Sequence, residues 1–166
     1  MKKSKKVILE ILSYVAIIVV VLLFKTFIAS PIRVNGSSMY KTLHDKDIMI
    51  LNEMAYYFDD INRGDIVVVK EEGELLIKRV IGLPEETIEC RDGFIYINDK
   101  KLSESYVFGT TKDFEKVVIG DDEYFVLGDN REVSLDSRVY GAYDKKDVRG
   151  KASFTIYPFN RFGEKK

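Results

Sequence analysis

The stretch from Pro31 to Asp45, PIRVNGSSMYKTLHD, contains two adjacent serines, Ser37 and Ser38, and the only histidine of the chain, His44. A serine hydroxyl becomes a nucleophile when a neighbouring base takes its proton, as in the Ser-His-Asp and Ser-Lys hydrolases. His44 is the first candidate for that base. It lies in a charged turn, however, where a histidine is usually a solvated side chain with no third group to orient its ring.

A lysine in the segment LLIKRVIG is the second candidate for the base. In an extended chain Leu76, Lys78 and Val80 share one face, so Lys78 has apolar neighbours on its own side. Loss of hydration there lowers the pKa of the amine, and a neutral amine can take a proton from a serine hydroxyl. A strand-edge lysine that reaches water with its long stem fits the same periodicity.

A third polar stretch, LGDNREVSLDSRVYG, runs from Leu127 to Gly141. Beyond a Gly-Asp-Asn turn, Ser134, Asp136 and Arg138 fall on alternate positions and share a face if the chain is extended. Asp136 and Arg138 would form a charge-assisted pair, and Ser134 would hydrogen-bond to a lysine amine. The composition of this stretch fits a solvated polar loop equally well.

Short β-branched and aromatic runs must position these residues. Such runs are DIMILN, DIVVVK, ELLIKRVIG, EYFVLGDN and GKASFTIYPF, and TIECRDGFIYIND adds a hairpin signal at Asp92-Gly93. No stretch after residue 30 shows a long apolar period of 3.6 residues. We therefore predict a mainly β fold, a compact sheet or barrel-like domain over residues 31–166, with a smaller, less regular β insertion at about 90–122.

The first thirty residues have a different pattern. Four lysines before residue 7 precede an apolar segment, residues 7–30, with charges only near its ends at Glu10 and Lys25. A buried core helix and a cleavable secretory signal are the alternatives, but Ile28 and Pro31 suit cleavage after Ser30 poorly. We predict one retained transmembrane helix over 7–30, a cytoplasmic basic tail over 1–6 and an extracytoplasmic body.

The composition excludes several kinds of site. One cysteine, Cys90, and one histidine cannot supply a tetrahedral zinc site of the usual kind, so we expect no metal and no other cofactor. The net charge is −1 although four lysines precede residue 7, so the remainder of the chain is acidic. That charge distribution argues against nucleic acid as a partner.

Together these stretches resemble the type I signal (leader) peptidases, membrane-bound serine proteases that remove signal peptides from exported proteins. GSSMYKTL resembles the family's nucleophile motif, INRGDIVVV its Arg-Gly-Asp strand and IKRVIGLP its lysine motif, and GDNREVSLDSRVYG resembles its long final motif almost throughout. The resemblance selects Ser38, which directly precedes Met39, over Ser37 as the nucleophile. It selects Lys78 as the general base.

The resemblance implies a β-rich extracytoplasmic domain, a single-pass anchor in a bacterial cell membrane and preprotein substrates. It implies that Ser134 orients the Lys78 amine, that Asp136 and Arg138 hold the loop, and that the Ser38 backbone N–H serves the oxyanion. Small substrate side chains before the cut imply shallow apolar pockets. The expected walls are Val34, Met39, Leu43, Leu76 and Ile77.

The sequence departs from the family pattern at several turns. Lys41 stands where proline is usual, and Glu85 and Glu86 stand where Gly-Asp is common. Gly36 stands where some relatives have a serine hydroxyl in the oxyanion hole, which leaves a second donor to be found.

Two alternative functions use the same features: a non-catalytic, pilin-type assembly factor, and a self-cleaving Ser-Lys regulator. C-terminal aromatic residues could enter a membrane interface or be ordinary surface; they are Phe154, Tyr157, Phe159 and Phe162.

Overall fold

The computed structural model describes residues 2–27 and 29–165, which form three α-helices and twelve strands. The helices are α1 (Lys2–Phe27), α2 (Ala55–Phe58) and α3 (Ser137–Tyr140). The strands are β1 (Ala29–Arg33), β2 (Ile48–Asn52), β3 (Ile66–Glu71), β4 (Glu74–Gly82), β5 (Thr87–Arg91), β6 (Phe94–Ile97), β7 (Lys100–Lys101), β8 (Phe114–Val118), β9 (Glu123–Leu127), β10 (Tyr143–Asp144), β11 (Val148–Tyr157) and β12 (Gly163–Glu164).

The larger sheet is antiparallel and has the order β1-β2-β11-β3-β4-β9-β10, with β12 added to β11. The mainly β fold predicted from the β-branched runs is therefore confirmed. Its barrel-like closure is not: within the described residues β1 and β10 are the two outer strands and do not pair with each other. The sheet is open because β1 pairs only with β2.

Strand β4 is paired differently along its two halves. Residues Glu74–Arg79 of β4 pair with β3, with Lys78 opposite Val67, whereas Arg79, Val80 and Gly82 pair with β9 on the other side. The first half of β4, from Glu74 to Lys78, therefore has one free backbone edge among the described residues. β1, an outer strand, has a free edge as well, so an additional strand could join either of these two strands.

The insertion is a separate small sheet with the order β7-β6-β5-β8. It spans Thr87–Val118, which overlaps the predicted 90–122 segment but begins earlier. Asp92 and Gly93 have φ values of 51° and 78° and connect β5 to β6. Both values lie in the left-handed region that the Asp-Gly hairpin signal predicts.

Three clusters of buried apolar side chains hold these elements together. The first lies under the segment that follows β1 and contains Val34, Met39, Leu43, Met49, Leu51, Ile66, Val68 and Ala152. The second joins the two sheets and contains Ile81, Ile88, Cys90, Ile95, Ile97, Ile119, Phe125 and Leu127. The third contains Ile61, Val67, Val69, Val80, Tyr124, Val126 and Tyr143. The first and third clusters contact opposite faces of β3, whose buried residues belong alternately to each.

Helix α1 precedes the sheet, and its side chains from Lys6 to Val21 are exposed. Within residues 2–27 and 29–165 we find no helix that combines the length and the apolar character needed to cross a bilayer. The predicted basic tail, 1–6, and anchor, 7–30, lie partly outside the described residues. These exclude residues 1 and 28 and the side chains of residues 1–5 and 22–29. Both segments stay predictions.

Candidate active site

Ser38 and Lys78 meet at the free half of β4. Lys78 Nζ donates a hydrogen bond to Ser38 Oγ over 3.0 Å. Lys78 extends from β4, while Ser38 lies in the connection between β1 and β2, forty positions earlier in the chain. Lys78 is only 3% exposed, whereas Ser38 is half-buried. A buried amine is therefore hydrogen-bonded to a hydroxyl that a substrate can reach.

The environment of Lys78 favours its neutral form. Burial lowers the pKa of Lys78 from the ordinary 10.5 to about 8; the Asp136 carboxylate opposes this shift and the Arg138 guanidinium adds to it. Desolvation dominates because the ammonium loses its hydration in the apolar surroundings of β4. A minor share of Lys78 is therefore neutral and able to accept a proton at neutral pH, and most of it is neutral at mildly alkaline pH.

The loop carrying Ser38 is held by backbone contacts. The Asn130 N–H donates to the Ser38 carbonyl over 2.9 Å, and Asn130 Nδ2 donates to the Ser37 carbonyl over 3.1 Å. Met39, beside the nucleophile, is 1% exposed and packs in the first apolar cluster. The nucleophile is thus fixed from one side by the core and from the other by the loop after β9.

The Ser38 backbone N–H forms no hydrogen bond with the described part of the chain, so it is available to an oxyanion. The neighbouring Gly36 N–H is already engaged with Asp45 Oδ1 at 2.9 Å. A second donor for the oxyanion is therefore not supplied by Gly36 in this arrangement.

Asp136 and Arg138 form an ion pair, although Arg138 lies in helix α3 and not in the extended chain that the alternation assumed. Arg138 Nε and an Nη donate to the two oxygens of Asp136, each over 2.8 Å, and the Gly128 N–H donates to Asp136 over 3.0 Å. Burial would raise the pKa of Asp136, but these hydrogen bonds hold it below its ordinary value. Asp136 is therefore a buried anion that closes the loop from Gly128 to Arg138.

Ser134 lies in this loop against the nucleophile. A Cβ atom at Gly128 would overlap the Ser134 side chain and lie 2.5 Å from the Ser38 carbonyl oxygen, so the three residues approach closely only because residue 128 is glycine. The buried Ser134 hydroxyl forms no hydrogen bond of normal geometry with the described residues, although it contributes to the lowered pKa of Asp136. The structure does not join Ser134 to Lys78 by a hydrogen bond.

A buried ion pair next to Lys78 was not found by sequence reasoning. Arg79 Nε and an Nη donate to Asp129 over 2.8 and 2.7 Å, and the two side chains are 1% and 0% exposed. Arg79 also donates to the Gly64 carbonyl, and Thr42 Oγ1 donates to Asp129 over 2.5 Å. The available signal was an arginine within an apolar strand, because a buried cation needs an anionic partner.

Four of the five predicted pocket residues line one small cavity. The cavity has a volume of about 70 Å³ and touches both Ser38 and Lys78; its other walls are Arg33, Val34, Asn35, Met39, Leu75, Leu76 and Ile77. A larger cavity of about 360 Å³ adjoins it and is lined by Ile32, Arg33, Asn35, Val68, Glu74, Leu75 and Ile77. Leu43 lines neither, since it is fully buried in the first apolar cluster.

His44 is engaged elsewhere. Its ring packs edge-on against Tyr40, with the centroids 5.2 Å apart, and its backbone N–H donates to Asp47. Its Nδ1 has no hydrogen-bond partner among residues 2–27 and 29–165, so no third group orients the ring from that side. Within the same residues no group of three or more His, Cys, Asp and Glu side chains is placed to hold a metal ion.

The chain is also similar in sequence to known proteins. The family model described as signal peptidase, peptidase S26, matches residues 7–157. Signal peptidase I S of Bacillus subtilis (strain 168) is 41% identical over 171 aligned positions, which cover 95% of this chain and 93% of the relative. Signal peptidase IB of Staphylococcus aureus (strain COL) is 35% identical over 179 positions, covering 95% and 94%.

A solved structure is also similar. The crystal structure of a signal peptidase I from Enterococcus faecalis V583 superposes with a TM-score of 0.51 at 36% sequence identity. The match covers 56% of this chain and 97% of that chain.

Proposed function

The chain belongs to the peptidase S26 family of signal peptidases, and on that premise we propose that it is a serine endopeptidase that removes signal peptides from exported preproteins. We assign Ser38 as the nucleophile and Lys78 as the general base. The observation that carries the assignment is the 3.0 Å hydrogen bond from a buried lysine amine to a half-buried serine hydroxyl. Burial lowers the pKa of that lysine to about 8, so the amine can act as a base near neutral pH.

In the first step neutral Lys78 takes the proton of Ser38, and Oγ attacks the scissile carbonyl carbon. The carbonyl oxygen becomes an oxyanion that accepts a hydrogen bond from the Ser38 backbone N–H. When the tetrahedral intermediate collapses, the Lys78 ammonium gives its proton to the leaving nitrogen, and the mature chain departs with a new amino terminus. An ester between Ser38 and the signal peptide remains.

In the second step Lys78, neutral again, takes a proton from a water molecule that attacks the ester carbonyl. Collapse returns the proton to Ser38 Oγ and releases the signal peptide with a free carboxylate. The same amine serves both half-reactions because it starts each one uncharged. Asp136 limits how far the pKa of Lys78 falls and so keeps the amine basic enough for the transfer.

The substrate binds as an added strand. Residues of β1 and of the first half of β4 line the same two cavities, and both strands have a free backbone edge there. An extended peptide placed between them would hydrogen-bond to these edges and direct alternate side chains into the cavities. The cavity beside Ser38 and Lys78 holds about 70 Å³ and therefore accepts only a small side chain before the cut.

The supporting residues act on the loop that fixes Ser38. The pair between Asp136 and Arg138 holds the turn from Gly128, and this turn supplies the Asn130 contacts to the nucleophile. Ser134 contributes a buried hydroxyl without a full hydrogen-bond partner among the described residues. We propose that it orients the Lys78 amine.

We further propose that residues 7–30 anchor the chain in the membrane, with the amino terminus in the cytoplasm. The lysines before residue 7 favour that orientation, and the described apolar side chains of α1 are exposed along its length. Exposed aromatic residues near the carboxyl terminus would add interfacial contacts; they are Phe154, Tyr157, Phe159 and Phe162. Tethering enzyme and signal peptide to one surface raises their effective concentration.

The assay uses the full chain in detergent with an exported preprotein. Ser38→Ala and Lys78→Ala should each abolish release of the mature protein, while His44→Ala is the matched control that retains cleavage. Cleavage that survives in either dyad variant would remove that residue from the mechanism. Binding of the preprotein without cleavage by the wild type would instead favour a non-catalytic assembly factor on the same scaffold.

A further inference from the structure

The surface on the far side of Ser38 from the cavities has no role in the mechanism above. Resting on the proposed peptidase activity, we propose that Tyr40 and Phe108, here called the aromatic pair, form the subsite for the first two residues after the cut. The pair selects apolar side chains there. The signal peptide occupies the two cavities lined by β1 and β4, here called the groove. The aromatic pair therefore contacts only the mature protein.

The order of the two cavities along β4 indicates on which side of Ser38 the subsite lies. The small cavity touches Ser38 and Lys78, whereas the larger cavity touches Ile32 and Glu74 and neither dyad residue. Glu74 lies four positions before Lys78 on an extended strand, a distance of about 13 Å. The residues before the cut therefore run away from the dyad along β4. The residues after the cut must leave Ser38 on the opposite side.

We place the aromatic pair on that opposite side, because it is connected to the loop of Ser38 and lines neither cavity. Tyr40 lies two positions after the nucleophile, and its N–H donates to the Ser37 carbonyl over 3.1 Å. Phe108 forms a parallel β-bridge with Asn130, whose N–H donates to the Ser38 carbonyl. Neither aromatic residue lines either cavity. Both are thus connected to the nucleophile through one or two backbone contacts, outside the groove for the signal peptide.

The pair is both rigid and accessible. The two rings meet edge to face with their centroids 5.0 Å apart, and the Tyr40 ring is also held against His44. Tyr40 is 38% exposed and Phe108 is 44% exposed, although each ring has an aromatic partner. A preformed apolar surface of this kind contacts a ligand side chain at little cost in side-chain entropy.

The insertion supplies half of this subsite. Phe108 belongs to the segment between β7 and β8, and its N–H donates to the Asp129 carbonyl while its own carbonyl accepts from the Arg131 N–H. Arg131 in turn is buried and donates to Glu104 of the same segment over 2.6 Å. The insertion is therefore fixed to the loop that holds Ser38, and it brings its exposed aromatic ring against Tyr40, two positions after the nucleophile.

The test measures selectivity with the full chain in detergent. Preproteins identical except for the first or second residue after the cut carry Ala, Phe or Lys there, and pairs compete in one reaction. The wild type should prefer Phe over Ala at one of these positions by about 3- to 10-fold in kcat/KM, the value of one aromatic contact. Phe108→Ala should bring that ratio to near one.

Phe94→Ala is the matched control, since Phe94 is an exposed aromatic residue of the same insertion that lies in β6, and it should keep the wild-type ratio. Phe108→Glu should instead favour Lys over Phe at the same position, a gain that damage to the fold cannot produce. A wild type indifferent to both positions, or a Phe108→Ala variant that keeps the preference, overturns the subsite.

Cleavage of the alanine preprotein by the wild type tests the peptidase activity separately. If that preprotein is cleaved and the ratios fail, only the subsite is wrong. If the wild type cleaves none of the preproteins, the peptidase function fails, and the subsite fails with it.

Discussion

The pH dependence of cleavage should follow the ionisation of Lys78. With a pKa of about 8, the neutral share of the amine rises from about 9% at about pH 7 to about 91% at about pH 9, so kcat/KM should rise about tenfold and then level off. A lysine with the ordinary pKa of 10.5 would give a rise of nearly a hundredfold over the same interval, with no plateau. A plateau above about pH 9 would therefore report that burial has lowered the pKa of the Lys78 amine.

Two charge variants should move this profile in opposite directions. The Asp136 carboxylate raises the pKa of Lys78 and the Arg138 guanidinium lowers it. Asp136→Asn should therefore shift the rising part of the profile to lower pH, and Arg138→Gln should shift it to higher pH. Both variants break the same pair and should lower the plateau. Loosening of the loop alone would not produce shifts of opposite sign.

The measurement is kcat/KM for the full chain in detergent, on one preprotein, across the range from about pH 6 to about pH 10. His44→Ala is the control and should keep the wild-type profile, because the His44 ring packs against Tyr40 and forms no hydrogen bond with the dyad among the described residues. A rise that continues without a plateau would refute a desolvated Lys78 as the base. Shifts of the same sign in Asp136→Asn and Arg138→Gln would refute the electrostatic argument.

The remaining predictions concern stability and packing. Lys78→Met should raise the free energy of unfolding by about 3 kcal/mol below about pH 8, because the lowered pKa reflects a burial cost that disappears as pH rises through 10.5. Asp129→Asn should destabilise the fold by about 3–5 kcal/mol, since it removes the buried carboxylate that accepts two hydrogen bonds from buried Arg79. Gly128→Ala should cost about 1–3 kcal/mol and lower kcat, because its Cβ would press on the Ser38 carbonyl oxygen.

Each of these variants has a matched control, and denaturant unfolding is the measurement. Lys70→Met removes an exposed lysine of β3 and should leave stability nearly unchanged. Arg91→Met removes the exposed partner of the ion pair with Glu89 and should cost less than about 1 kcal/mol. Gly73→Ala should lower the free energy of unfolding only through the strain of its φ of 91°, and it should leave kcat unchanged. If Lys78→Met is no more stable than wild type at neutral pH, the amine is not desolvated.

The strands were predictable because their signals are local. The β-branched runs at β2, β3 and β4 and the Asp-Gly turn between β5 and β6 form the elements that their patterns indicate. The open edge was not predictable from those patterns. Whether a sheet closes depends on which strands pair across it, and β1 has a partner on one side only.

The candidate site was predictable in its residue types and not in its contacts. Motif resemblance selected Ser38 and Lys78. Asp136 and Arg138 were expected to pair in an extended chain, and they pair instead at the start of helix α3. No local pattern indicates that Asp129, fifty positions after Arg79, is the partner of that arginine. Leu43 was expected in a pocket wall because it follows Ser38 closely, yet it lies in the core, since the loop turns its side chain inward.

The amino-acid sequence by itself determined which segments are extended, which strand carries a lysine between apolar neighbours and which serine precedes a methionine in a familiar motif. Those properties depend on residues a few positions apart. Only the tertiary structure decided that the Lys78 amine is buried, that it lies 3.0 Å from Ser38 Oγ and that Phe108 of the insertion contacts Tyr40 and pairs with Asn130. Dehydration and proximity arise when distant segments exclude water together, and no local pattern encodes that packing.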